Sequence, residues 1–147
     1  FTTVALAVAR VGLDAAIELA GVKGSERRGL LRDRSVVHRD IGQAEAAWRS
    51  ARAFLLEAAT TAWESACTAH SVSRGERTQL RLASTHAIRQ AAEVVDIAYQ
   101  VCGSDSIFER NTIQRRFQDV HAITQQVQGQ MAHYETVGQF FLGVESE

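Results

Sequence analysis

The chain has 147 residues, 46% of them hydrophobic and 22% charged, with a formal net charge of −1. A chain of this size can bury about two-thirds of its unfolded surface in one core, which argues against disorder, and so small a charge gives no electrostatic basis for nucleic acid as the main partner. It contains no proline, and because that residue costs about 3 kcal/mol inside a helix, its absence points to long uninterrupted helices.

The first segment places Val4, Val8, Val11, Ala15, Leu19 and Val22 three and four residues apart, one face of an amphipathic helix that Gly21 and Gly24 close. Arg10 interrupts its apolar run, and no stretch reaches the roughly 18 uncharged apolar residues of a membrane span. Nor does the N-terminus carry the charged start and cleavage pattern of a signal peptide. The abrupt opening Phe1-Thr2-Thr3-Val4 reads as a domain cut from a longer chain. From Lys23 to Arg39 follows a basic connection without steady period, with Lys23, Arg27, Arg28, Arg32, Arg34 and Arg39 against Glu26, Asp33 and Asp40.

A second helix is expected from about Val37 to Ala69, with Ala44, Ala47, Trp48, Ala51, Leu55, Ala58, Ala62 and Ser65 on one face. Ser73-Arg74-Gly75-Glu76 is a capping box that opens a third helix, striped by Leu80, Ala83, Ala87, Ala91, Val94, Ala98 and Val101 and stopped by Gly103. The fourth begins near Asn111 or Thr112. Its stripe of Ile113, Phe117, Val120, Thr124, Val127, Met131, Tyr134, Gly138 and Phe141 predicts one continuous helix of about eight turns. Four long helices joined by short turns bury their stripes best as one all-α domain over residues 1–147, a four-helix up-and-down antiparallel bundle. The second, third and fourth are expected to pack together with the first beside them. The alanine faces of the second and third allow close approach and leave surface for subunit contacts. Cys67 and Cys102, both within helical segments, read as reduced core thiols, which fits a cytoplasmic location.

Residue spacing excludes several chemistries that such a bundle can host. A ferritin-like di-iron site needs a glutamate three residues before a histidine, but the residues so placed before His38, His70, His86, His121 and His133 are Ser35, Cys67, Ala83, Gln118 and Gln130. No His pair lies four apart and no Cys pair has finger spacing, so no metal is expected. No phosphate-cradling glycine loop or catalytic triad pattern occurs either. Two unusual features remain. The glutamine-rich run Gln125-Gln126-Val127-Gln128-Gly129-Gln130 is either a polar helix face that hydrogen-bonds a neighbouring subunit or the remainder of a longer chain, or part of a site, and the basic connection is either a solvated loop or a set of arginines that meet a diphosphate.

Tyr99-Gln100-Val101-Cys102-Gly103-Ser104-Asp105-Ser106-Ile107-Phe108, followed by Ile113-Gln114-Arg115-Arg116-Phe117-Gln118-Asp119-Val120-His121, resembles the stretch in acyl-CoA dehydrogenases where a helix ends in a Gln-x-x-Gly turn and the next opens on an Arg-x-x-Arg-Asp signature. His121-Ala122 and Phe141-Leu142-Gly143 look most like the second type of C-terminal domain in that superfamily, found in reduced-flavin monooxygenases related to hydroxyphenylacetate hydroxylases, dibenzothiophene monooxygenases and steroid-ring hydroxylases. The resemblance covers essentially the whole chain. It implies a flavin cofactor, FAD or reduced FMN, with N-terminal and middle domains elsewhere in the parent chain, and a homotetramer in which this bundle helps to hold a neighbouring subunit's flavin. It further implies that Gln100 and Gly103 form the turn near the flavin and that Arg27 meets its diphosphate.

The departures bear on catalysis. Where those monooxygenases carry a histidine seven residues after the aspartate, this chain has Gln126, and the dehydrogenases' carboxylate base one residue later is replaced by Val127. Gln126 is the candidate hydrogen-bond donor to substrate or flavin, placed on an expected helix face with Asp119, Ala122, Gln130 and His133. Glutamine at 118 in place of the usual arginine weakens the ion pairing expected of that signature. The alternative to an oxidoreductase is a non-catalytic helical assembly module.

Overall fold

The computed structural model describes residues 1–26 and 29–144, and is all-α apart from one two-stranded turn. Helices α1 (Thr2–Val22), α2 (Ser35–Ala69), α3 (Arg74–Cys102) and α4 (Thr112–Thr124) form an up-and-down bundle, and α5 (Ala132–Phe141) continues α4 after a break. Between α1 and α2, strands β1 (Gly24–Ser25) and β2 (Gly29–Leu30) pair antiparallel, and a short 3-10 turn at Leu31–Asp33 leads into α2.

The capping box forms as expected. Glu76 N–H donates to Ser73 Oγ at 3.2 Å and Ser73 N–H to Glu76 Oε2 at 2.7 Å. Glu76 also accepts from Ser65 Oγ, so the same carboxylate ties α3 to the end of α2. The alanine stripes of α2 and α3 are buried as expected, with Ala51, Ala83, Ala87, Ala91 and Ala98 fully enclosed.

The first helix differs from expectation. Its buried residues are Ala5, Leu6, Val8, Ala9, Gly12, Leu13, Ala16 and Ala20, so of the expected stripe Val8 is buried while Val4, Val11 and Val22 are exposed. As expected, α1 lies beside the other helices, packed mainly on α3 and α4, and α3 is the helix that touches α1, α2, α4 and α5 alike. Small residues win there because they let two backbones approach closely. A Cβ added at Gly12 would sit 3.2 Å from Ile113 Cδ1 and 3.5 Å from Val95 Cγ2. At its flank, Trp48 Nε1 donates to Leu6 O at 2.8 Å and Arg10 bridges Asp14 and Glu45, which fixes α2 against α1.

The expected continuous fourth helix is also corrected. It stops at Thr124, passes through a 3-10 turn at Val127–Gly129, and resumes at Ala132. Val127 and Met131, read as core positions, are 56% and 58% exposed, and Val137 takes the buried place in α5. Cys102 is buried, and that burial pushes its thiol up to about 11, whereas Cys67 is exposed rather than a core thiol. No helix of the described residues is long and apolar enough to cross a membrane.

Candidate functional site

The basic connection and the end of α3 build one cleft. Gly103 ends α3 with φ +59°, a backbone region that side chains disfavour, and its N–H returns to the carbonyls of Tyr99 and Gln100. Ser106 Oγ donates to Tyr99 O at 2.6 Å, which occupies another of the helix-end carbonyls. From the other side Lys23 Nζ donates to Cys102 O at 2.6 Å and pairs with Asp105, and so clamps the end of α1 onto this turn. The result is a cleft of about 300 Å³ whose walls include Gly24, Ser25, Arg34, Gln100 and Gly103. Gln100 and Gly103 are therefore brought together with the basic loop, while Arg27 lies outside the described residues.

The donor set of this cleft suits a phosphate or diphosphate. Lys23 is already neutralised by Asp105, but Arg34 is paired with no carboxylate, and its Nε is buried with no hydrogen-bond partner among the described residues. Arg34 is also the N-cap of α2, a helix that begins without a side-chain cap and without an acidic residue in its first turn. An uncapped N-terminus leaves backbone N–H groups and a partial positive charge open to an anion. The sequence pointed to this loop by its charge. It did not single out Arg34, whose significance depends on where α2 starts.

The glutamine-rich run forms a second feature, about 20 Å from Gly103 along α3 at 1.5 Å per residue, so Gln126 does not join Gln100 and Gly103. It lies not on a helix face but in extended backbone at the start of the 3-10 turn, with its side chain exposed. Three successive carbonyls of that turn are held by side chains. His133 Nε2 lies 2.6 Å from Val127 O, Thr85 Oγ1 donates to Gln128 O at 2.9 Å, and Arg89 donates through Nε at 2.8 Å and through Nη2 to Gly129 O. Arg81 Nη1 donates to His133 Nδ1 at 3.0 Å, which leaves Nε2 to carry the proton given to Val127 O. Beside the break a groove of about 440 Å³ is walled by Arg77, Leu80, Arg81, Val127, Gln128 and His133.

On α4, His121 Nε2 lies 2.8 Å from Asp96 Oδ1, which ties α4 to α3, and its ring meets that of Phe117 on the same helix at 4.4 Å in a tilted contact. Arg116 and Asp119 pair at 3.2 Å despite glutamine at 118. Among the described residues no group of three or more His, Cys, Asp or Glu side chains is arranged to hold a metal ion.

Comparison with known proteins agrees with the fold. Residues 1–130 match the family described as "Acyl-CoA dehydrogenase, C-terminal domain". The chain is 35% identical to indole-3-acetate monooxygenase from Pseudomonas putida over 97% of its own length, and 26% identical over 84% to the enzyme of that name from Acinetobacter baumannii. It spans 37% and 32% of those relatives' lengths. Among solved structures, XiaF from Streptomyces sp. in complex with FADH2 and glycerol superposes with a TM-score of 0.91 at 19% identity, over 98% of this chain and 37% of that one. The HsaA monooxygenase from M. tuberculosis gives 0.85 at 16% identity, over 97% and 36%.

Proposed function

This chain belongs to the acyl-CoA dehydrogenase C-terminal domain family, and from that premise we propose that it is the flavin-supporting, subunit-joining helical domain of a flavin-dependent monooxygenase acting on an aromatic acid. The observation that carries the reading is the cleft between the basic loop and the Gln100–Gly103 turn, where a buried, unpartnered Arg34 Nε meets an uncapped helix start. The names of the relatives support the choice of reaction and substrate class. The cofactor is FAD, or reduced FMN or FAD, held at its phosphate or diphosphate by Arg34, with Arg27 a further candidate from the family resemblance. When bound in reduced form, such a flavin would supply the two electrons that activate dioxygen.

The residues of this chain bind and orient. Arg34 offers a planar fork of donors to phosphate oxygens, and Gly103 brings backbone close to the ligand without a side chain in the way. Gln126, presented by the helix break, donates or accepts a hydrogen bond at substrate or flavin. A carboxamide does not transfer a proton near neutral pH, so proton movement falls to other groups. The exposed valine face of α1, with Val4, Val11 and Val22, is the surface on which the parent protein's other domains pack. Leu56 and Trp63 on α2, the latter 71% exposed, are assigned to the contact between subunits of a tetramer.

The test is to supply the complete protein that contains this chain with reduced FAD, isotopically labelled dioxygen and indole-3-acetate. Labelled product and a bound flavin are expected. A protein that binds no flavin and incorporates no label would leave the assembly-module alternative standing.

A further inference from the structure

Three consecutive backbone carbonyls, each captured by a side chain, are more than a chain end needs. Val127 O, Gln128 O and Gly129 O are taken by His133, Thr85 and Arg89, the last two from α3 and the first from α5. Gly129 is buried so closely that a Cβ there would lie 2.9 Å from Thr124 O and 3.1 Å from Ile88 Cγ2. The turn is thus seated against α3 with no room for a side chain.

Arg89 is the strongest member of this brace. It forks two N–H groups onto one carbonyl and forms no ion pair among the described residues. Both donors instead go to the carbonyl of Gly129, in the turn that follows α4. The hydrophobic period, which runs on through Val127 and Met131, would otherwise continue the helix, turning Gln126 and Val127 onto other faces. We infer that Arg89 is a positioning residue that holds the helix break in one conformation and thereby presents Gln126 and Val127 to the reacting centre. This rests on the proposed function only for what the break faces; the brace itself rests on the contacts above.

The experiment compares the complete flavin-loaded protein with Arg89→Met and Arg89→Lys. In Arg89→Met the amides of Gly129 and Gln130 should exchange with solvent at least about tenfold faster while those of α2 keep their protection. Turnover of indole-3-acetate should fall about tenfold to a hundredfold with KM moved far less, and Arg89→Lys, which keeps the charge but loses the fork, should recover part of it. Unchanged exchange overturns the brace, and faster exchange with unchanged turnover overturns the positioning role. Should the wild-type protein leave indole-3-acetate untouched, the substrate assignment fails separately. The inference is then decided by the visible spectrum of the bound flavin, which Arg89→Met should shift and which, if identical to wild type, overturns it.

Discussion

Gln126 enters the break with φ −67° and ψ 152° and an exposed side chain, so replacing it removes a hydrogen-bonding group without opening the core. Loss of one such bond at a site costs about 1 to 3 kcal/mol, or roughly tenfold to a hundredfold in rate. Gln126→Ala in the complete enzyme is therefore expected to lower turnover by that order with Tm nearly unchanged. Unchanged turnover would make Gln126 a surface glutamine. A different residue contributes to the response to acid. Arg10, donating at 2.6 Å, and then Arg49 hold the Glu45 carboxyl below the usual carboxylate range. Because the folded value is depressed, the pair stabilises fully above the ordinary glutamate value of about 4.3, and that contribution is lost as pH falls through the folded value. The Tm difference between wild type and Glu45→Gln should be largest near neutrality and narrow from about pH 4.3 downward, and a constant difference would show that the pair carries no such linkage.

The helices repeat this lesson at larger scale. At Gly12 the space between α1 and α4 admits a methyl only if the flexible end of Ile113 yields. Alanine gains about 1 kcal/mol of helix propensity over glycine, which offsets that shift, whereas a branched side chain overpacks by about 1 to 3 kcal/mol. Gly12→Ala is expected to be near neutral in chemical denaturation and Gly12→Val clearly destabilising. Equal effects would mean that α1 does not approach its neighbours as closely as described. The same close packing explains why the face of α1 was misread from sequence. Val4, Ala5, Leu6, Ala7, Val8 and Ala9 make the helix apolar all round, so period alone does not choose the face, and the buried one carries Gly12 and four alanines beside Leu6, Val8 and Leu13. The faces of α2 and α3 were legible because polar residues flank their alanine stripes, and the start and stop of α3 because Ser73, Glu76 and Gly103 act locally. The break after Thr124 was not legible. The contacts that hold it come from Thr85 and Arg89 on another helix and from His133 beyond the turn, and Gly129 is the local sign.

The whole molecule leaves large apolar side chains uncovered, Trp63 and Leu56 on α2 among them. Trp63 is exposed on the part of α2 that extends beyond α1, and a single charge there should weaken association if copies of the chain meet at that face. Trp63→Glu is expected to shift the sedimentation of the complete protein towards smaller species with unchanged helicity, and an unaltered distribution would remove α2 from the subunit contact. The proposed cofactor role rests on the other end of the molecule. Gln100 and Gly103 were legible there through their turn motif, but Arg34 became visible only once the loop was folded against it. Hydrogen bonds to a charged group contribute about 1.5 to 3 kcal/mol, equivalent to roughly tenfold to a hundredfold in Kd. Equilibrium titration of FAD into the complete protein and its Arg34→Ala variant tests the central claim most directly. A Kd weakened by that factor at unchanged Tm is the expected result, and equal affinity in the two proteins would contradict the assignment of this cleft to the flavin.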